Sequence, residues 1–118
     1  MKQFLHIILL LALALPATVA NAQTGADEQL IIKEMDAAAA KWNQGDLDGY
    51  MALYDPSATM MMPQGRQGIE GMRSLYEKYY FENGQPKQQL RYDTYQFTPL
   101  GKNYGLLTGR FILGAKDQ

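Results

Sequence analysis

Apolar positions along the chain fall into three helical stripes and three extended stretches, one between the second and third helices and two after them. Ile31, Met35, Ala38 and Trp42 repeat at 0, 4, 7 and 11, with Lys33, Glu34, Asp36 and Lys41 off the stripe, the spacing of an amphipathic helix. Thr24 to Asp27 supplies small and acidic residues for its start. Leu47, Tyr50, Met51 and Tyr54 recur at i, i+3, i+4 and i+7 and predict a second, short helix. Between the two, Gly45 is suited to the positive φ that ends a helix, and Asp46 offers a side-chain acceptor to the first free N–H groups of the next. The two helices are therefore expected to meet at a corner.

Asp55-Pro56 stops the second helix, because the residue before a proline is pushed out of the α region and proline has no N–H for the ladder. Ala58 to Met62 then reads as a strand, with Met60 and Met62 on one face and Met61 on the other. Pro63 to Gly68 is turn chemistry. A third helix follows, its buried side formed by Ile69, Met72, Leu75, Tyr76 and Tyr79, its end placed at Asn83-Gly84 with Pro86 beyond. Gln88 to Phe97 lacks clean alternation, yet Leu90, Tyr92, Tyr95 and Phe97 are strand-favouring types. After a turn at Pro99 to Asn103, Tyr104 to Leu113 alternates between two largely apolar faces, the pattern of an interior strand.

The first residues stand apart from this pattern. Lys2 precedes an apolar run from Phe4 to Leu15, Pro16 breaks it, and Ala20-Asn21-Ala22 has the small residues a signal peptidase needs. Residues 1–22 are read as a secretory signal cleaved after Ala22, because the run is roughly a dozen residues against the ~20 that span a bilayer. Residues 23–118 are read as one exported domain, periplasmic or secreted, with no membrane association after cleavage.

Composition removes whole classes of chemistry. The sequence has no cysteine, which excludes a disulfide, a thiol nucleophile and a lipid-bearing cysteine. Its one histidine is His6, inside the signal, so Ser-His-Asp, Cys-His and His-metal mechanisms lack a residue. Without Lys2, ten basic side chains stand against 12 acidic ones, and no basic field points to nucleic acid. No metal and no cofactor is implied.

Three motifs carry a resemblance: Asn-x-Gly-Asp-Leu-Asp-Gly at Asn43 to Gly49, Ala-Leu-Tyr at Ala52 to Tyr54, and Ala-Thr-x-x-x-Pro at Ala58 to Pro63. With Gly-Ile-Glu-Gly at Gly68 to Gly71, they resemble the nuclear-transport-factor-two-like superfamily, which includes ketosteroid-isomerase-like and SnoaL-like domains. The resemblance runs from about Asp27 onward. It implies an α+β fold, three helices packed on a curved, mostly antiparallel sheet that encloses a conical pocket. Such folds host unrelated chemistries. In the superfamily two more long strands usually follow the Thr-Gly-Arg-Phe-type strand, here Thr108 to Phe111. The sequence does not include them, so an unpaired strand edge is expected, either covered by a second copy in a homodimer or left on a truncated relative with a poorly closed core.

Ketosteroid isomerases need a carboxylate base and acidic hydrogen-bond donors on the enolate oxygen. The resemblance places the base at Met62 and a donor tyrosine at Ala38, where a thioether and a methyl group stand. That activity is therefore not expected. Asp46, Asp48, Asp55 and Glu70 are explained as cap, first-turn and turn residues, and Arg91 with Asp93 as a solvated face. The resemblance implies a pocket, with Trp42, Tyr54, Met60, Met62, Tyr76, Tyr80, Tyr95 and Phe111 as its expected lining and Arg110 for a polar or anionic end. The expected role is binding a small apolar molecule without assignable catalysis. The alternatives are an isomerase, cyclase or dehydratase using Asp93 or tyrosines, and a dimerisation module.

Overall fold

The computed structural model describes residues 25–115; the signal peptide assigned to residues 1–22, the helix start at Thr24 and the last three residues lie outside them. The molecule is of mixed α+β class, with helices packed on small antiparallel sheets. Helix α1 covers residues 25–43, α2 Leu47–Met51 and α3 Ile69–Tyr79. The strands are β1 Met60–Met62, β2 Gly65–Gln67, β3 Phe81–Glu82, β4 Gln85–Pro86, β5 Gln89–Pro99 and β6 Gly105–Gly114. They pair as three two-stranded antiparallel sheets, β1 with β2, β3 with β4 and β5 with β6. Among the described residues no helix is long and apolar enough to cross a membrane.

The corner between α1 and α2 forms as its glycine and aspartate require. Gly45 has φ 81°, its N–H donates to the Trp42 carbonyl at 2.9 Å, and the Asp46 N–H reaches back to the Lys41 carbonyl at 2.9 Å. These two bonds satisfy carbonyls that the end of α1 would leave open. Asp46 then caps α2 by accepting from the Gly49 N–H at 2.9 Å. The corner also fits closely against the β3–β4 turn, since a Cβ on Gly45 would lie 2.7 Å from the Gly84 carbonyl oxygen.

Gly45→Ala therefore meets two penalties: about 1–3 kcal/mol for a left-handed non-glycine residue, and a steric clash with backbone. Gly84→Ala, at φ 74° but with open space around the added carbon, meets only the first. Urea denaturation is expected to show the larger loss for Gly45→Ala. Equal losses would mean that the close approach to Gly84 is unimportant.

Four expectations need correction. Helix α2 ends at Met51 rather than at Tyr54, although turn bonds from Leu53 N–H to the Tyr50 carbonyl and from Tyr54 N–H to the Met51 carbonyl keep the chain winding. Tyr54 thus stays beneath Tyr50. The Pro63–Gly68 stretch, read as turn alone, contains β2, with Met62 opposite Gly65. Helix α3 ends at Tyr79, and Asn83-Gly84 forms the tight turn of the β3–β4 hairpin, with φ 52° and 74°. Two consecutive positive φ values give the turn whose twist suits a two-residue hairpin, which is why Asn-Gly is favoured there. Finally, β6 is not an interior strand: among the described residues no third strand joins the β5–β6 pair, and Leu106 and Phe111 are exposed.

A bulge explains the poor alternation of β5. Asp93 faces Arg110 and Gln96 faces Thr108, so two residues of β5 oppose one of β6. The extra residue brings Tyr95 and Phe97 to the same side as Leu90 and Tyr92, where they meet Leu107, Phe111 and Leu113 of β6.

The core lies between the helices and this hairpin. Trp42 is 2% exposed and meets Phe81, Tyr50, Tyr76 and Tyr80 edge-to-face, with ring centroids 4.7, 5.1, 5.3 and 6.0 Å away. Its ring N–H donates to the Gln88 carbonyl at 3.2 Å. Met72 is fully buried at the centre of α3. Asn43 ties α1 to β5: its amide donates to the Leu90 carbonyl at 2.9 Å and accepts from the Leu90 N–H at 2.6 Å.

Candidate ligand-binding cavity

The three apolar stripes and the inner face of the β5–β6 hairpin converge on a cavity of about 360 Å³. Helices contribute Met35, Trp42, Tyr50, Leu75, Tyr76 and the following Tyr80; Tyr54 and Met60 come from the segment after α2. The hairpin closes it with Leu90, Tyr92, Phe111 and Leu113. A volume of this size is within the range of small-molecule sites.

Its polar content is a chain of phenols. The Tyr50 hydroxyl lies 3.2 Å from those of Tyr54 and Tyr92, and the Tyr54 hydroxyl lies 3.2 Å from that of Tyr76. The order is Tyr92, Tyr50, Tyr54, Tyr76. Each phenol has one proton to donate and room to accept. Three bonds among four hydroxyls consume three protons, so one O–H is left to point out of the chain. Which phenol holds it depends on the direction of the bonds, and each bond polarises the next.

Burial pushes the Tyr50 hydroxyl far above the ordinary phenol range, with Tyr54 acting the same way through hydrogen bonding and charge. Burial likewise raises Tyr76 and Tyr92, which stay neutral at physiological pH. Among the described residues no charged side chain is buried. The cavity therefore presents a hydrogen-bond donor without a charge.

These shifts predict the alkaline limit of the fold. A phenol whose folded pKa lies above its unfolded value stabilises the fold fully below the ordinary value of 10.0, and that contribution is lost as pH rises toward the folded value. Stability is thus expected to fall from about pH 10 upward, and Tyr50→Phe should flatten the decline. Denaturation midpoints across an alkaline pH series test this; an unchanged slope in Tyr50→Phe would contradict it.

The residues expected to line a pocket are distributed over several places. Trp42, Tyr54, Met60, Tyr76, Tyr80 and Phe111 meet at the main cavity. Met60 and Met62 point inward and Met61 outward, at 77% exposure, but Met62 is packed into the core and does not line the cavity. Tyr95 and Arg110 belong to a smaller adjoining cavity of about 130 Å³, beside Tyr92, Leu107, Gly109, Phe111 and Met35. Tyr95 donates to Asp36 on α1 at 2.7 Å, and burial together with that carboxylate raises its pKa.

Arg110 is exposed and paired with Asp93 at 3.0 Å. Arg91 is exposed and Asp93 partly so, in keeping with the expected solvated face, to which Arg110 adds a cross-strand pair of small energetic weight in water. Arg110 is not available to the main cavity as an anion anchor. Ala38 and Met62 are both core residues.

Tyr50, inside the phenol chain, and Tyr92, at its end, are not among the lining residues expected from sequence. The signal for Tyr50 was present, since it stands in the α2 stripe one turn before Tyr54. Tyr92 could be placed only once β5 was known to cross beneath α2.

Comparison with protein-family models, with curated proteins and with solved structures finds no significant match to the chain.

Proposed function

We propose that the protein binds a small, neutral, mainly apolar molecule in the main cavity, with a carbonyl-type acceptor directed at the phenol chain. The observation that carries this reading is the pairing of an aromatic enclosure with four linked, uncharged hydroxyls that hold one proton in surplus. A carboxylate ligand would find no buried cation, and an ammonium no buried carboxylate. The superfamily resemblance and its conical roll belong to this proposal, supported by the helix order, the Gly45–Asp46 corner and the helices lying over an antiparallel hairpin. Export to the periplasm or medium is part of the same reading, on the residues before Gln23.

Trp42 is the chain's single tryptophan and lines the cavity, so ligand entry has an intrinsic reporter. In a screen of neutral ketones with matched hydrocarbons and carboxylates, ketones should raise the melting temperature and alter Trp42 emission. Tyr54→Phe should weaken ketone binding by roughly tenfold, the scale of one hydrogen bond, and leave hydrocarbon binding unchanged. If no hydrophobic compound changes either signal, the cavity is ordinary packing and the reading is wrong.

A homodimer is a second reading, favoured by the exposure of Tyr104, Leu106 and Phe111 on and beside β6. Sedimentation or size-exclusion measurements decide it: a monomer at micromolar concentration would exclude it.

A further inference from the structure

The main cavity and the smaller one beside it share three lining residues, Met35, Tyr92 and Phe111. Tyr92 is held from behind by its hydroxyl contact with Tyr50 at 3.2 Å, and Phe111, its cross-strand partner in the β5–β6 ladder, stands on the solvent side at 66% exposure. Met35 comes from the opposite side, on α1, half-buried and unbranched. A thioether side chain with three rotatable bonds is the most adaptable of the three.

Accepting the ligand-binding role proposed above, we infer that Met35 is the specificity-determining residue for ligand length, a movable partition between the two cavities. The phenol chain receives the acceptor end of the ligand in the main cavity, and the far end meets Met35. Beyond Met35 lies about 130 Å³ of space. Its lining is mainly apolar and suits a short hydrocarbon tail. Tyr95, its hydroxyl engaged by Asp36, and the exposed Arg110 line that end. The ligand class that fits is a neutral molecule with one acceptor at its head and a flexible hydrocarbon tail.

The test uses a homologous series of 2-alkanones, read through Trp42 emission in the full chain. For the unaltered protein, affinity should rise about fourfold per added methylene and then level off at a length that fills the main cavity. Met35→Ala should move that limit to longer ketones, and Met35→Phe to shorter ones. Adding Leu107→Trp to Met35→Ala refills the smaller cavity and should return the limit to its original place. A general loosening of the fold would not be reversed in that way.

If the alkanones bind but the limit does not move in Met35→Ala, the partition role is refuted and the cavity reading stands. If the limit moves and Leu107→Trp fails to restore it, the smaller cavity does not take the tail and the inference is equally refuted. If none of the alkanones binds the unaltered protein, the cavity reading fails and takes the inference with it.

Discussion

Trp42→Ala is expected to cost about 3–5 kcal/mol, the range for removing a large aromatic from a packed core. Four rings lose their central partner at once, and the Gln88 carbonyl loses its donor. A single domain is stable by about 5–15 kcal/mol, so much of that margin would go. Trp42→Phe keeps the ring contacts with Tyr50 and Tyr76 and gives up the N–H, so its loss should be clearly smaller. Urea denaturation followed by circular dichroism measures both. A Trp42→Ala variant within about 0.5 kcal/mol of the unaltered protein, a loss typical of a surface site, would show that the aromatic cluster is not the centre of the core.

Asn43→Ala should rank second. One amide serves both the N–H and the carbonyl of Leu90, a residue 6% exposed, in the position a neighbouring strand would occupy. Each backbone group left without a partner costs about 1–3 kcal/mol, and both are lost together. Asn43→Asp is more informative. It keeps an acceptor for the Leu90 N–H but sets a carboxylate against the Leu90 carbonyl. Only the protonated acid can donate to that carbonyl, so its folded pKa should be raised and the variant should gain stability as pH falls through the carboxylate range. Denaturation midpoints at acid and neutral pH, compared with Asn43→Ala, separate the two effects. An Asn43→Asp variant with no such gain would show that the carbonyl contact is dispensable.

Local chemistry made some of the fold readable in advance. The α1–α2 corner depends on Gly45, Asp46 and the bonds of one turn, all of which are near neighbours in the chain. The stripes of α1 and α3 follow from helical period, and Trp42, Tyr54, Tyr76 and Tyr80 meet because those stripes face one another. The errors came where a signal had two local meanings. Asn83-Gly84 suits a helix end and a tight hairpin equally, and the adjoining Phe81 and Pro86, both buried, settled it in favour of the hairpin. Arg110 was legible as a cation on a strand, but its facing residue depends on register, and register depends on the bulge. The phenol chain was the least accessible feature, because Tyr50 and Tyr92 are brought together by packing across 42 residues.

The bulge between Asp93 and Gln96 divides the long hairpin into two segments of opposite phase. The inner segment sets the aromatic enclosure; the outer one carries Phe97 and Leu107 toward the tip. Removing one residue at the irregularity would give a regular ladder with Gln96 still opposite Thr108 and Phe97 still opposite Leu107 on the inner face, whereas removing one from the regular part of the strand would turn every residue beyond it to the other side. The bulge can therefore absorb the loss of one residue, while elsewhere in this arm insertions and deletions keep the inward faces only in pairs. Any grafted or shuffled tip must keep that parity to leave the cavity's floor intact.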